Sequence, residues 1–144
     1  MKKFFRFLIA ALSVATIAMT LTSCSAGGDG TEGADGDIIG SWEYYDGLSY
    51  RILFQFRPDG TVVMVSMHEL TDEHPEVVFL TWSMSGDRLT IVYDESYEEK
   101  WIIKTLTKKE LFMEGIIHGG TLPFHFYRVA DSVVNEYIEK YGKK

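Results

Sequence analysis

The sequence predicts an all-β fold: an antiparallel, up-and-down barrel of about eight strands followed by one C-terminal α-helix. Three observations carry that reading. Short apolar runs recur at regular spacing from residue 38 onward, separated by turn-forming residues. No helical stretch of about 10–15 residues lies between them, which argues against alternating βαβ units. Aromatic residues make up 14% of the chain, and strands pack such side chains well.

The elements follow in order. Residues 38–45 form a first apolar run. Residues 50–57 alternate, with Tyr50, Ile52, Phe54 and Phe56 on one face and Arg51, Gln55 and Arg57 on the other. Pro58-Asp59-Gly60 makes a tight turn, because Pro fixes φ and Gly accepts a positive φ. Residues 61–67 are β-branched and apolar and pair back as a hairpin. Residues 77–84 and 88–93 flank Ser85-Gly86-Asp87, and residues 100–106 and 110–117 flank Thr107-Lys108-Lys109. Gly119-Gly120 precedes a last strand at 123–129. The short links favour a meander, and closing it removes the exposed edges. Asp131, or Ser132, is the expected N-cap of the helix. Val133, Val134, Tyr137, Ile138 and Tyr141 recur at helical spacing, and Gly142 ends the run. The helix is expected on the outer wall of the barrel.

The N-terminus has a different character. Lys2, Lys3 and Arg6 precede an uncharged stretch from residue 7 to residue 21, 15 residues long. That is short of the ~20 a helix needs to span a bilayer, and it has the form of a secretory signal. Residues 25–37 hold five Gly, four acids and no large apolar side chain. Such a segment cannot offset its own conformational entropy and reads as a disordered tether. The organisation expected is therefore a signal at 1–23, a lipidated Cys with its tether at 24–37, and a folded domain at 38–144. The signal holds three basic residues and no acid, so the remainder carries 11 basic and 21 acidic groups, a formal charge of −10. This excludes a nucleic-acid partner held by a basic patch. Cys24 is the one cysteine, so neither an intrachain disulfide nor a thiolate metal cage can form.

Leu21-Thr22-Ser23-Cys24 resembles the lipobox of bacterial lipoproteins. The resemblance implies that the Cys24 thiol carries diacylglycerol and that the signal is cut just before it. It also implies acylation of the new amino group, since stable anchoring takes more than one acyl chain. Ser25 differs from the Asp that retains such proteins in the inner membrane of enteric-type bacteria. The implied location is the cell envelope, at the outer membrane on its periplasmic or surface face. The acidic tether is similar to surface-export signals in some Gram-negative lineages.

Gly40-Ser41-Trp42 resembles the Gly-X-Trp of lipocalins. Phe54-X-Phe56-X-X-Asp59-Gly60-Thr61-Val62 is similar to the second hairpin of bacterial lipocalin-like lipoprotein domains. So are Gly86-Asp87-X-Leu89-X-Ile91, Trp101-X-Ile103, Leu106-Thr107-X-X-X-Leu111 and the closing Phe126-X-Arg128. The resemblance spans roughly residues 38–141. It implies a barrel whose first-strand Trp42 closes the floor, with Arg128 packed over it as a cation–π pair. The disulfide of classical lipocalins cannot form here.

No catalytic constellation stands out. No Gly-X-Ser-X-Gly occurs, and Cys24 is expected to be acylated. The His68-Glu69 and Asp72-Glu73-His74 stretch could hold a divalent ion, but its spacing fits no standard motif and reads as a solvated loop. His118 and His125 sit near strand ends with nothing to link them to that loop. Glu95, Glu98 and Glu99, beside Tyr93 and Tyr97, read as an acidic, solvent-facing hairpin tip. No metal, cofactor or enzymatic activity is expected. An eight-stranded barrel interior either fills with side chains or holds one small ligand. The expected interior set is Phe54, Phe56, Val63, Val65, Met67, Trp82, Met84, Trp101 and Phe126. Phe54, Phe56, Trp82, Met84, Trp101 and Phe126 are the ligand-binding candidates. Two functions remain open: binding a small apolar or amphipathic ligand, or contacting an envelope protein partner through a filled barrel's outer surface.

Overall fold

A computed structural model describes residues 37–72, 74–117 and 120–142. The signal, Cys24 and the tether up to residue 36 lie outside the described residues, as do Glu73, His118 and Gly119. Eight strands run β1 (Gly40–Tyr45), β2 (Tyr50–Phe56), β3 (Thr61–His68), β4 (Glu76–Ser85), β5 (Arg88–Asp94), β6 (Tyr97–Leu106), β7 (Glu110–Ile117) and β8 (Gly120–Val129). One helix, α1 (Asp131–Tyr141), follows. Each strand pairs antiparallel with the next, and β8 pairs with β1 to close the barrel. The all-β, up-and-down barrel with a C-terminal helix is therefore the fold.

The turns form for local reasons. Gly60 and Gly86 take positive φ, 82° and 61°, where β2 turns into β3 and β4 into β5. Asp46, Asp59 and Asp94 each fold a side-chain oxygen back onto the residues ahead of them, and their carboxyls are held below the usual carboxylate range: Asp59 and Asp94 first by the Thr61 and Ser96 hydroxyls and then by backbone N–H groups, Asp46 by backbone N–H groups.

Two seams do not close along their full length. β1 meets β8 only from Ser41/Val129 to Glu43/Tyr127. β4 meets β5 only from Thr81/Val92 to Ser85/Arg88. Both part toward the same end, which carries the 46–49, 69–75 and 95–96 connections. That end is the mouth and the opposite one the floor. Pro123 lies in the stretch of β8 that pairs with β7 alone, so its missing N–H interrupts no ladder on the β1 side.

The inward face is one apolar cluster, including Trp42, Phe54, Phe56, Val62, Met64, Leu89, Ile91, Trp101, Leu111, Met113 and Phe126. The expected placement of Val63, Val65 and Met67 inside is corrected. Val62 and Met64 point inward, while Val63 and Val65 are buried on the outer face beneath Val134, and Met67 shares their parity. The reason is α1: it covers this wall, so both faces of β3 are apolar and alternation cannot choose between them. Gln55 donates to Asn135, and Arg51 pairs with Glu43 and donates to the Tyr137 hydroxyl, fixing the helix in place.

Asp131 is not the N-cap. Ala130 holds that position without a side-chain bond, and Asp131 in the first turn accepts a hydrogen bond from the Ser41 hydroxyl at 2.7 Å. The carboxylate still faces the positive end of the helix and ties it to β1. β6 begins three residues earlier than the sequence reading placed it, at Tyr97.

Candidate functional site

At the floor, Trp42 is wholly buried and its indole N–H donates to the Ile38 carbonyl at 2.8 Å. The Arg128 guanidinium lies 4.1 Å from the centroid of the Trp42 ring. It donates to the carbonyls of Ile39 and Asp37, drawing the entering chain across the barrel's end. Gly40 has φ +118°, and a Cβ there would collide with the Arg128 guanidinium. A Gly two residues before the Trp is what lets the Arg reach the ring.

Above the floor, aromatic rings fill the middle of the barrel. Phe54 contacts Phe56 and Phe126 at 5.5 Å each and Trp101 at 6.5 Å between ring centroids. Phe124 contacts Trp101 at 5.2 Å and Tyr44 at 5.1 Å, both edge to face. Trp101 lies over Gly115, its cross-strand partner, where even a methyl group would press into the indole.

Toward the mouth the inward face becomes polar. Strand parity carries Tyr97 and Glu99 to the same side as Trp101, and Tyr93 to the same side as Ile91. Tyr97 donates to the Glu99 carboxylate at 3.0 Å, and its ring lies 4.9 Å from that of Tyr93. The Tyr93 hydroxyl also lies 3.4 Å from the Met64 sulfur. Burial raises the Glu99 carboxyl above its ordinary range, opposed by hydrogen bonds from Tyr97 and Tyr93. Burial first, and the nearby Glu99 charge second, push Tyr50 up to about 12 and raise Tyr93 and Tyr97 as well. The Trp101 indole N–H adds a further pull on this carboxylate, yet it is buried and meets no acceptor at hydrogen-bond geometry. Tyr50, Tyr93, Tyr97 and Glu99 all keep part of their surface exposed, so they are reachable from the open end. Outside the barrel, an open groove of about 460 Å³ runs past Thr61, Phe79, Thr81 and Val92 and reaches Tyr93 where β4 and β5 part.

Residues 20–113 match the sequence profile of the lipocalin-like domain. The chain belongs to the lipocalin-like domain family. No curated protein and no solved structure matches it.

Within this lipocalin-like barrel the six candidate ligand residues divide. Phe54, Phe56, Trp101 and Phe126 are buried against one another and form the packed middle. Trp82 is partly buried against Phe56, with its N–H donated to the Arg57 carbonyl. Met84 lies near the floor, beside the β4–β5 turn, and is 45% exposed. Neither Trp82 nor Met84 faces the mouth.

The sequence reading put Tyr50 on the face of Phe54 and Phe56, as found, but missed Tyr44, Tyr93 and Phe124 as interior residues, and it assigned Glu99 to a solvent-facing tip. That assignment is corrected: Glu99 is on the inward face. The turn occupies Asp94–Ser96, where Asp94 accepts from the Ser96 N–H at 2.8 Å, and the strand resumes at Tyr97. Counting back in twos from Trp101 would have found Glu99. Among the described residues no group of three His, Asp or Glu converges to hold a metal. The ring nitrogen of His68 instead contacts the Ser49 hydroxyl at 3.2 Å.

Proposed function

We propose that this chain is a lipid-anchored protein of the bacterial cell envelope, placed at the outer membrane by acylated Cys24. Its lipocalin-like barrel holds one small amphipathic molecule at the mouth. It is a binding protein rather than an enzyme. One observation carries the binding reading: the interior is packed with rings at the floor and middle, while its mouth presents half-buried tyrosines and a carboxylate. Tyr44, Phe124 and Trp101 offer an apolar bed, and the groups above them offer polar contacts. Sites with mostly apolar walls and a few convergent polar groups are the usual form of small-ligand sites. The anchor rests on the Leu21–Cys24 pattern and the short apolar stretch before it.

Native mass spectrometry of the full-length protein, extracted from its own host in mild detergent, tests both parts. A reproducible small-molecule adduct, together with the added mass of acyl chains on the N-terminal Cys24 peptide, is expected. Repeated preparations without an adduct, and without binding of added apolar probes, would remove the ligand reading. A Cys24→Ser chain that still fractionates with membranes would remove the anchor.

A second reading has its own observation. On the outer face of β7 and β8, away from α1, Phe112, His125 and Tyr127 form a row with ring contacts of 5.9 and 4.7 Å, and Tyr127 is 54% exposed. Such a row suits contact with an envelope protein. Loss of partner cross-linking in Tyr127→Ser, with mouth binding absent, would favour this reading over the first.

A further inference from the structure

The mouth carries a charged group without a countercharge. Glu99 is partly buried on the inward face, and among the described residues none of the ion pairs includes it. Next to it on β6, Glu98 pairs with Lys100, while Asp72 and Glu76 lie close enough to Tyr50 to add to the negative charge at the mouth. The groups that do surround Glu99 are aromatic. Tyr93 and Tyr97 donate to it, and Tyr50 lies close enough to sense its charge. Trp101, 95% buried, turns an unsatisfied indole N–H toward the same place. An acid taken partly out of water needs either a proton or a cation to offset the loss of hydration.

We propose that the mouth recognises a small organic cation: an amphipathic amine or quaternary ammonium whose charged head sits against Glu99. The proposal rests on the ligand-binding reading above and specifies its chemistry. The rings of Tyr93 and Tyr97 lie 4.9 Å apart beside Glu99, and a cation drawn to the carboxylate gains further attraction wherever it comes over a ring within about 6 Å of its centroid. An alkyl tail would extend over Phe124 and Tyr44 toward the packed middle. Anions are disfavoured twice, by Glu99 itself and by Asp46 and Asp94 on the flanking connections. The chain's formal charge of −7 raises the local concentration of cations in the same direction.

The test is isothermal titration of the full chain in neutral detergent with three probes of equal tail length: hexylamine, hexanol and hexanoate. Hexylamine is expected to bind about tenfold tighter than hexanol, the scale of one desolvated cation–π and charge contact, with hexanoate weakest. Glu99→Gln is expected to remove that preference while leaving hexanol binding in place. If hexanol or hexanoate binds as tightly as hexylamine to the unmodified chain, the cation proposal is overturned while the ligand reading survives. If none of the three binds, the ligand reading fails and takes the proposal with it. The comparison among probes needs no variant, so a Glu99→Gln chain that fails to fold leaves it decisive.

Discussion

The two ends of this barrel use the same kinds of side chain for opposite purposes. At the floor, Trp42 and Arg128 direct their donors at the backbone of the chain's own entry, Ile38 and Ile39, and the flanking strands are zipped. At the mouth, Tyr93, Tyr97 and Trp101 gather around a carboxylate that no basic side chain of the described residues pairs with, and the seams on either side part. At the floor most polar groups are bonded to the chain's own backbone, with the Arg128 Nε left over, whereas at the mouth a carboxylate without a countercharge and the Trp101 N–H are only partly satisfied. Stability therefore concentrates where the strands close, and recognition where they open. Variants at each end should separate the two.

The largest effect is expected from Trp42→Ala. Removing a fully buried indole leaves a cavity and strands the Arg128 guanidinium, and such truncations cost about 3–5 kcal/mol. That is a large fraction of the roughly 5–15 kcal/mol that holds a domain folded. Urea unfolding followed by circular dichroism should show the midpoint collapse, while Tyr97→Phe, which removes one part-buried bond to a carboxylate, should cost about 1–2 kcal/mol. Equal losses at the two ends would break the comparison.

Gly40→Ala should follow, at about 1–3 kcal/mol, the range for a residue forced into strained backbone. Two causes combine there: a φ that L side chains rarely adopt, and the approach of Arg128 to the position of the new Cβ. A double-mutant cycle with Arg128→Ala separates them. If the steric part matters, Gly40→Ala costs less once the guanidinium is gone. Additive losses would assign the whole effect to the backbone.

Much of this was readable from residue order. The hairpins, the meander and the helix follow from alternation and turn chemistry, and the resemblance of Gly40-Ser41-Trp42 to the lipocalin pattern implies where the floor lies. What escaped did so for physical reasons. β3 is apolar on both faces because α1 covers its outer side, so Val63 and Val65 were assigned inward although they lie beneath Val134. Asp131 has the chemistry of a cap, but a hydroxyl 90 residues away in sequence claims its oxygen. Glu99 was hidden by its own type: three acids near a turn read as solvent-facing, and only the parity of β6 places one of them inside. A binding site built from residues that violate the inward-apolar pattern is the part of a barrel that periodicity hides.

The smallest expected change is also the one that most sharpens the contrast between the ends. Burial holds the Glu99 carboxyl above its unfolded range, so the folded state binds that proton more tightly than the unfolded chain does. Ionised Glu99 therefore weakens the fold at neutral pH, and the penalty is relieved as pH falls through the raised folded-state value. Glu99→Gln removes the charge and keeps an acceptor for Tyr97. It should raise the melting temperature by a few degrees at neutral pH, and the gain should vanish in acid, where Glu99 is protonated in both states. Asp46, Asp59 and Asp94 respond oppositely, losing their contribution as pH falls through their lowered values. They are the same in both chains, so they cancel from the difference. Calorimetric melts of the two chains across pH read that difference directly. If Glu99→Gln is less stable at neutral pH, the bonds from Tyr93 and Tyr97 outweigh the cost of burial, and Glu99 is a structural strut. If it is more stable, the barrel carries at its mouth an acid that the fold alone would be better without, which is the signature expected of a group retained for binding.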